Sequence, residues 1–182
     1  MLKISGIRYS AETPCLVDIG WHVPISFKTS KSPVGGARYL ALGDGNKQLL
    51  ELKIAPDSLT LIGFSLVLAD IMGEKGLDGD GPVEEGLPVL DVTEEPNLAS
   101  MGQGRHDKSQ TSVTLSCSGE YAEVRLGREN LFDSTVAHGR ARFLLKQGHL
   151  IGIRILGLTG EERRILRDHE QRSRNPGSYP SE

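Results

Sequence analysis

Much of this chain alternates apolar and polar residues with a period of two, the pattern of strands that turn one face to a core. Val23-Pro24-Ile25-Ser26-Phe27 alternates in this way, as do Leu50-Glu51-Leu52-Lys53-Ile54, Val113 to Cys117 and Tyr121 to Leu126. One apolar phrase occurs twice: Leu61-Ile62-Gly63-Phe64-Ser65-Leu66-Val67 returns as Leu150-Ile151-Gly152-Ile153-Arg154-Ile155-Leu156. Each copy follows a turn, Pro56-Asp57-Ser58 or Gln147-Gly148-His149, and an apolar segment, Leu49 to Ile54 or Ala141 to Leu145. At one constant offset Ile54 also falls on Phe143. The shared unit reads strand, turn, strand, with a glycine early in the second strand, where a bulge or a close backbone approach needs a missing Cβ.

Residues 1–34 read as a lead-in of short strands around Leu2, Ile4, Ile7 and Leu16 to Ile19. Pro24 cannot donate to a ladder and would place its strand at an edge. Trp21 is expected as a core or lid residue under the sheet. Tyr39, Leu40 and Leu42 lead into Gly43-Asp44-Gly45-Asn46, a hairpin signal because Asp-Gly tolerates positive φ. Leu59 to Leu68 is nearly continuously apolar and predicts a central strand covered on both faces. In the second half Gly127 to Gly139 reads as inserted material between two hairpins. Thr159 and Glu162 have the spacing of a capping box at the start of a helix. Ile165 and Leu166 form an apolar stripe too small for deep burial, and Asn175-Pro176-Gly177 ends the helix.

The expected fold is mainly β (α+β): two related antiparallel meanders forming one sheet, a sandwich or a partly open barrel, with a C-terminal helix. The expected division is an N-terminal half at 1–95 with an acidic loop at 70–95, a linker at 96–110, a second half at 111–174, and a disordered tail at 175–182.

Composition narrows the function. The 182 residues can bury a sizeable core, and the net charge of −3 supplies no general attraction to nucleic acid or anionic membrane. No apolar run approaches the ~20 residues of a membrane span. Two cysteines, Cys15 and Cys117, outside any metal-like spacing, suit free thiols in a reducing cytoplasm. Acidic residues concentrate between Asp70 and Glu95, where nine carboxylates meet one lysine, Lys75.

Reaction chemistries fit poorly. Asp78-Gly79-Asp80-Gly81 resembles part of a calcium loop, but aligning it puts Gly76 and Leu87 where carboxylates are required. The same glycines give G-x-x-G-x-G with no helix after them to receive a phosphate. Ser116-Cys117-Ser118-Gly119 lacks the first glycine of a nucleophile elbow and lies among strands. Cys117 could pair with His138 or His149 as thiolate and base, yet it alternates with Leu115 and Val113 on the inward face, as a buried structural thiol would. His22, His106, His138, His149 and His169 show no zinc-ligand spacing. The Arg-rich C-terminal helix is evenly neutralised and predicts solvated i,i+4 pairs such as Asp168–Arg172. No cofactor, metal ion or catalytic residue is expected.

The ending Gly148-His149-Leu150-Ile151-Gly152-Ile153-Arg154-Ile155-Leu156 before a short helix resembles a hairpin of small bacterial β-rich domains. It is also similar to immunity proteins of polymorphic-toxin and contact-dependent inhibition systems. With that resemblance, the absence of a catalytic constellation and the acidic excess of residues 70–95 point to a non-enzymatic immunity protein whose partner is a cognate toxin. Asp78, Asp80, Glu84 and Glu85 are the partner-binding candidates, because carboxylates suit the basic cleft of a nuclease. A small-ligand carrier or enzyme using a β-barrel interior is the alternative. A structural subunit that oligomerises through exposed strand edges is a third reading.

Overall fold

A computed structural model describes residues 2–9, 14–30, 36–71, 76–91, 106–109 and 111–174. Three sheets and one helix account for most of them. The first half holds β1 (Leu2–Arg8), β2 (Cys15–Asp18), β3 (Ile25–Thr29), β4 (Arg38–Leu42), β5 (Leu49–Ile54) and β6 (Leu61–Leu68). The connection supplies β7 (Asp70–Ile71), β8 (Asp78–Gly79), β9 (Val83–Glu85), β10 (Leu87–Leu90) and β11 (His106–Ser109). The second half holds β12 (Val113–Cys117), β13 (Tyr121–Leu126), β14 (Leu131–Phe132), β15 (Ser134–His138), β16 (Ala141–Lys146), β17 (His149–Leu156) and helix α1 (Gly160–Arg174).

The duplication hinted at by the repeated phrase extends to whole sheets. One sheet has the order β11-β4-β5-β6-β3-β2, and the other contains β9-β15-β16-β17-β13-β12. Each is a hairpin followed by a three-stranded meander whose last strand returns beside the hairpin, and each gains a parallel strand on the same edge. The registers match residue for residue. Val17, Phe27, Phe64, Leu52 and Leu40 lie in one cross-strand row, as Leu115, Val124, Ile153, Phe143 and Val136 do in the other. Both second strands bulge by one residue just before the glycine, at Ile62 and at Ile151. Equivalence by pairing therefore puts Leu52, and not Ile54, at the place of Phe143. Residues 55–60 make a longer turn than Gln147-Gly148, so a constant offset cannot hold on both sides of it.

These rows face one shared core. Phe27 stacks on Phe64 at 5.7 Å and meets Phe143 edge-on at 5.8 Å, which joins the two inner faces. Leu50, Leu52, Ile54, Leu66, Val124, Ile153 and Ile155 are buried in the same cluster. The halves are not separate along the chain, however. The second sheet has nine strands, because β7 pairs with β12, and β1 pairs with β10 and, at Leu2 and Lys3, with the start of β17.

Several expectations change. Residues Gly127 to Gly139 are not an insertion, since they supply β15, the counterpart of β4. Strand β3 begins after Pro24 and is paired on both sides, so proline marks its start and not a sheet edge. Part of the expected linker is β11, paired in parallel with β4; residues 96–105 and the tail lie outside the described residues. Strand β6 is covered fully on one face only, with Ile62, Ser65 and Val67 half-buried on the other. Trp21 sits 39% exposed in the β2–β3 turn, with the guanidinium carbons of Arg164 and Arg172 5.8 and 5.7 Å from its ring centroid. It lies beneath the helix and not beneath a sheet.

Helix α1 is anchored more firmly than its short apolar stripe suggests. Ile165 and Leu166 are buried in the main core with Leu158. The capping box forms in both directions: the Glu162 N–H donates to Thr159 Oγ1 and the Thr159 N–H to Glu162 Oε2. Arg140 donates twice to the Glu162 carboxylate, at 2.9 Å each, and also to Leu156 and Gly157 carbonyls. Its guanidinium, above all, holds the Glu162 carboxyl below its ordinary value of 4.5.

Replacing Ile153 by Ala should destabilise the protein by about 2–5 kcal/mol in denaturant unfolding, the range for deleting a buried aliphatic side chain. Glu162→Ala should cost about 1–2 kcal/mol at neutral pH, for a cap and a half-exposed ion pair together. The folded-state value is depressed, so this stability is present above about pH 4.5 and is lost as pH falls further. Parent and variant melting curves should therefore converge in acid.

Candidate partner-binding site

Residues 76–91 of the acidic segment form an ordered strap laid against the second sheet. Leu77 is its anchor. The outward-facing row there contains Ser116, Glu123, Arg154 and Arg142 on successive strands. Glu123 is fully buried, and Arg154 reaches its Oε2 through Nε at 2.8 Å and Nη2 at 2.6 Å. The Leu77 N–H donates to Glu123 Oε1 at 2.6 Å, and Arg154 Nη2 donates to the Leu77 carbonyl at 2.8 Å. One ion pair thus binds both polar groups of a single residue, while the Arg154 guanidinium lies 4.3 Å from the Tyr121 ring centroid. The Leu77 side chain packs with Leu144, Ile151 and Phe132, apart from the main core. It enters over Gly152, where a Cβ would stand 2.7 Å from Leu77 Cδ1 and 3.2 Å from the Val124 carbonyl oxygen.

From Leu77 the chain runs as one ribbon alongside residues 130–137. The Asp78 N–H donates to the Asn130 carbonyl, the Thr135 N–H to that of Pro82, and the Gly86 N–H to that of Ala137. Asp78 pairs with Leu131 in β8–β14, while Glu84 and Glu85 pair with Val136 and Ala137 in β9–β15. This corrects the reading of 70–95 as a loop, for residues 78–85 carry β8 and β9 and Leu77 is buried, while β10 falls within Leu87 to Val92, the one stretch here whose sequence reads as a strand. The pattern hid this because a parallel edge strand exposed on both faces shows no alternation.

The structure brings the four candidate carboxylates together on this ribbon. Asp78, Asp80, Glu84 and Glu85 are all exposed. Val83 at 59% exposure and Leu131 at 54% stand on the same two paired segments, so an apolar pair lies among the charges. Strand β9 ends the strand order, and its outer edge is open among the described residues.

The other chemistry-bearing candidates do not converge on this ribbon. The Cys117 thiol is pushed up to about 12, first by burial and then by the charge of Glu170. At neutral pH it stays a protonated, weak nucleophile. His138 is buried edge-on against Phe27, between the two inner faces. His149 lies at the β16–β17 turn, near the Gln147 carbonyl. Sequence reasoning missed Glu123, Arg154 and Leu77. One signal was available: Arg154 is the single charged residue in the repeated apolar phrase, at the position where the first copy has Ser65.

Comparison with models of known protein families and with curated proteins found no match to this sequence.

Arg154→Met should cost about 3–5 kcal/mol, because Glu123 would keep a buried charge without its partner. Leu77→Ala should cost about 2–5 kcal/mol. Urea unfolding of both variants checks the clamp; parental midpoints would show that it does not hold the strap.

Proposed function

We propose that this protein is a non-enzymatic bacterial protein-binding protein, an immunity protein that blocks a cognate toxin domain with the ribbon Asp78–Glu85. The observation that carries the reading is the combination along one ribbon of four exposed carboxylates and an exposed apolar residue, Val83, with exposed Leu131 on the strand paired to it. The ribbon is held rigidly by the Leu77 clamp and by the ladder to residues 130–137. A pre-ordered acidic strip suits a basic cleft of the kind nucleases use: it loses little conformational freedom on docking, and complementary charge speeds encounter. The two exposed apolar residues give such an interface its water-excluding centre. The reading places the protein in the bacterial cytoplasm, where Cys15 and Cys117 remain free thiols. A carrier or enzyme working inside the sheets has less support, because Phe27, Phe64 and Phe143 fill the inner faces.

The test is to reverse charge at Asp78, Asp80, Glu84 and Glu85 together and to titrate parent and variant against toxin domains sought among the products of the neighbouring genes. Exposed charges shift stability by under ~0.5 kcal/mol each, so melting should barely change. Association should slow at least tenfold at low salt and lose its ionic-strength dependence. Unchanged association kinetics would remove the ribbon from the interface and overturn the reading.

A further inference from the structure

Strand β9 is paired on one side only, and its hydrogen bonds show which main-chain groups that leaves over. The Pro82 carbonyl accepts from the Thr135 N–H, and the Gly86 N–H donates to the Ala137 carbonyl. Main-chain groups of successive strand residues point to opposite sides, so Glu84, midway between those two, also turns its N–H and C=O to β15. Val83 and Glu85 turn theirs the other way, along the open edge. Among the described residues nothing bonds to these groups. Residues Pro82 to Glu85 are exposed without a break.

The side chains on this edge present one sign of charge. Glu84 stands in the row of Val136, Phe143 and Ile153, which holds no cation. Val83 stands in the uncharged row of Thr135, Leu144 and Gly152. Glu85 shares a row with Arg142 and Arg154, but both guanidinium groups are engaged elsewhere. Arg142 donates to the Gly139 and Ala141 carbonyls, and Arg154 to Glu123. Neither they nor Arg8, opposite Leu87, forms an ion pair with Glu84 or Glu85.

We propose that the partner protein docks by adding one of its own strands to the outer edge of β9, with an apolar residue opposite Val83 and basic residues opposite Glu84 and Glu85. This binding mode rests on the reading of the ribbon as the interface. Main-chain bonds to Val83 and Glu85 supply the hold, and the side chains opposite them choose the strand. The edge is already fixed by the Leu77 clamp and the β15 ladder, so only the incoming strand has to be ordered. A second copy of this chain is a poor occupant: pairing β9 with β9 sets carboxylate against carboxylate, and like charges directly opposite are destabilising. A strand with two adjacent basic residues turns the same carboxylates into favourable cross-strand pairs.

The test uses the peptide acetyl-Thr-Lys-Arg-Val-Thr-amide, whose threonines and valine favour an extended chain, titrated into the isotope-labelled full chain and followed by NMR. Saturable amide shifts should centre on Val83, Glu84 and Glu85. With the peptide bound, exchange of the Val83 and Glu85 amides should slow by roughly tenfold or more. The Glu84 and Gly86 amides, already bonded to β15, should hardly change. A fully N-methylated peptide of the same sequence keeps the charges but cannot donate, so it should bind at least about tenfold more weakly. Glu84→Lys with Glu85→Lys should weaken the unmethylated peptide to a similar degree, with melting curves recorded to show that the variant folds. Absence of saturable shifts along β9 would overturn the proposal. Equal affinity for the N-methylated peptide would do the same, for charge alone would then be the attraction. The complex with a toxin domain separates strand addition from the immunity reading. If charge reversal slows association while the Val83 and Glu85 amides exchange freely in the parent complex, the reading stands and strand addition fails. If the peptide binds along β9 and toxin kinetics ignore charge reversal, the reverse holds.

Discussion

Leu77 can reach the second sheet only because position 152 carries no side chain. A methyl group there would press on Leu77 and on the Val124 carbonyl, and the strap would have to lift. The rest follows from that contact. With Leu77 seated, its N–H and C=O meet Glu123 and Arg154, which neutralise each other in a place where either charge alone would be costly. The residues after it then fall into step beside 130–137, and Leu87 to Leu90 reach β1. An absent Cβ, one aliphatic side chain and one ion pair thereby convert an acidic connection into a layer on the outer face of the second sheet, with its own small apolar cluster.

Much of this architecture was legible in the sequence, and the remainder was hidden for identifiable reasons. The repeated phrase located both hairpins and both glycines, because a bulge beside a close backbone approach demands a specific residue at a specific place. Alternation located β5, β12 and β13, since each has one face in the core. It did not reveal that β9 and β11 complete equivalent edges: their parallel pairing is long-range, and β9, exposed on both faces, has no periodic signature. The depth of Ile165 and Leu166 was also unreadable, for it depends on Arg140 pinning the first turn from another strand. Of the candidate site, the four carboxylates were visible as composition. Their alignment on one ribbon was not, because it is fixed by long-range pairing.

The ribbon meets two requirements at once. An open strand edge invites pairing with any other edge, and charged residues and proline are the usual protection. Pro82, Glu84 and Glu85 supply both on β9. Under the proposed function the same carboxylates would both repel indiscriminate strand addition and attract a basic surface. Val83 and Leu131 stand exposed within that charged setting, and in that reading they would meet a partner that brings the opposite charge.

The placement of β1 bears on the order in which this molecule can form. Strand β1 leaves the ribosome before any other described element, yet Leu2 pairs with Leu150 near the end of the second meander. Its other partner, β10, belongs to the connection, and β11 must return to complete the edge of the first sheet. Neither sheet can therefore close during synthesis until most of the chain has emerged. Folding is a late, concerted event dominated by distant pairings, a class of topology that folds slowly. A nascent chain of this kind keeps unpaired apolar strands exposed for much of its translation, and it is during that interval that it most needs chaperone cover.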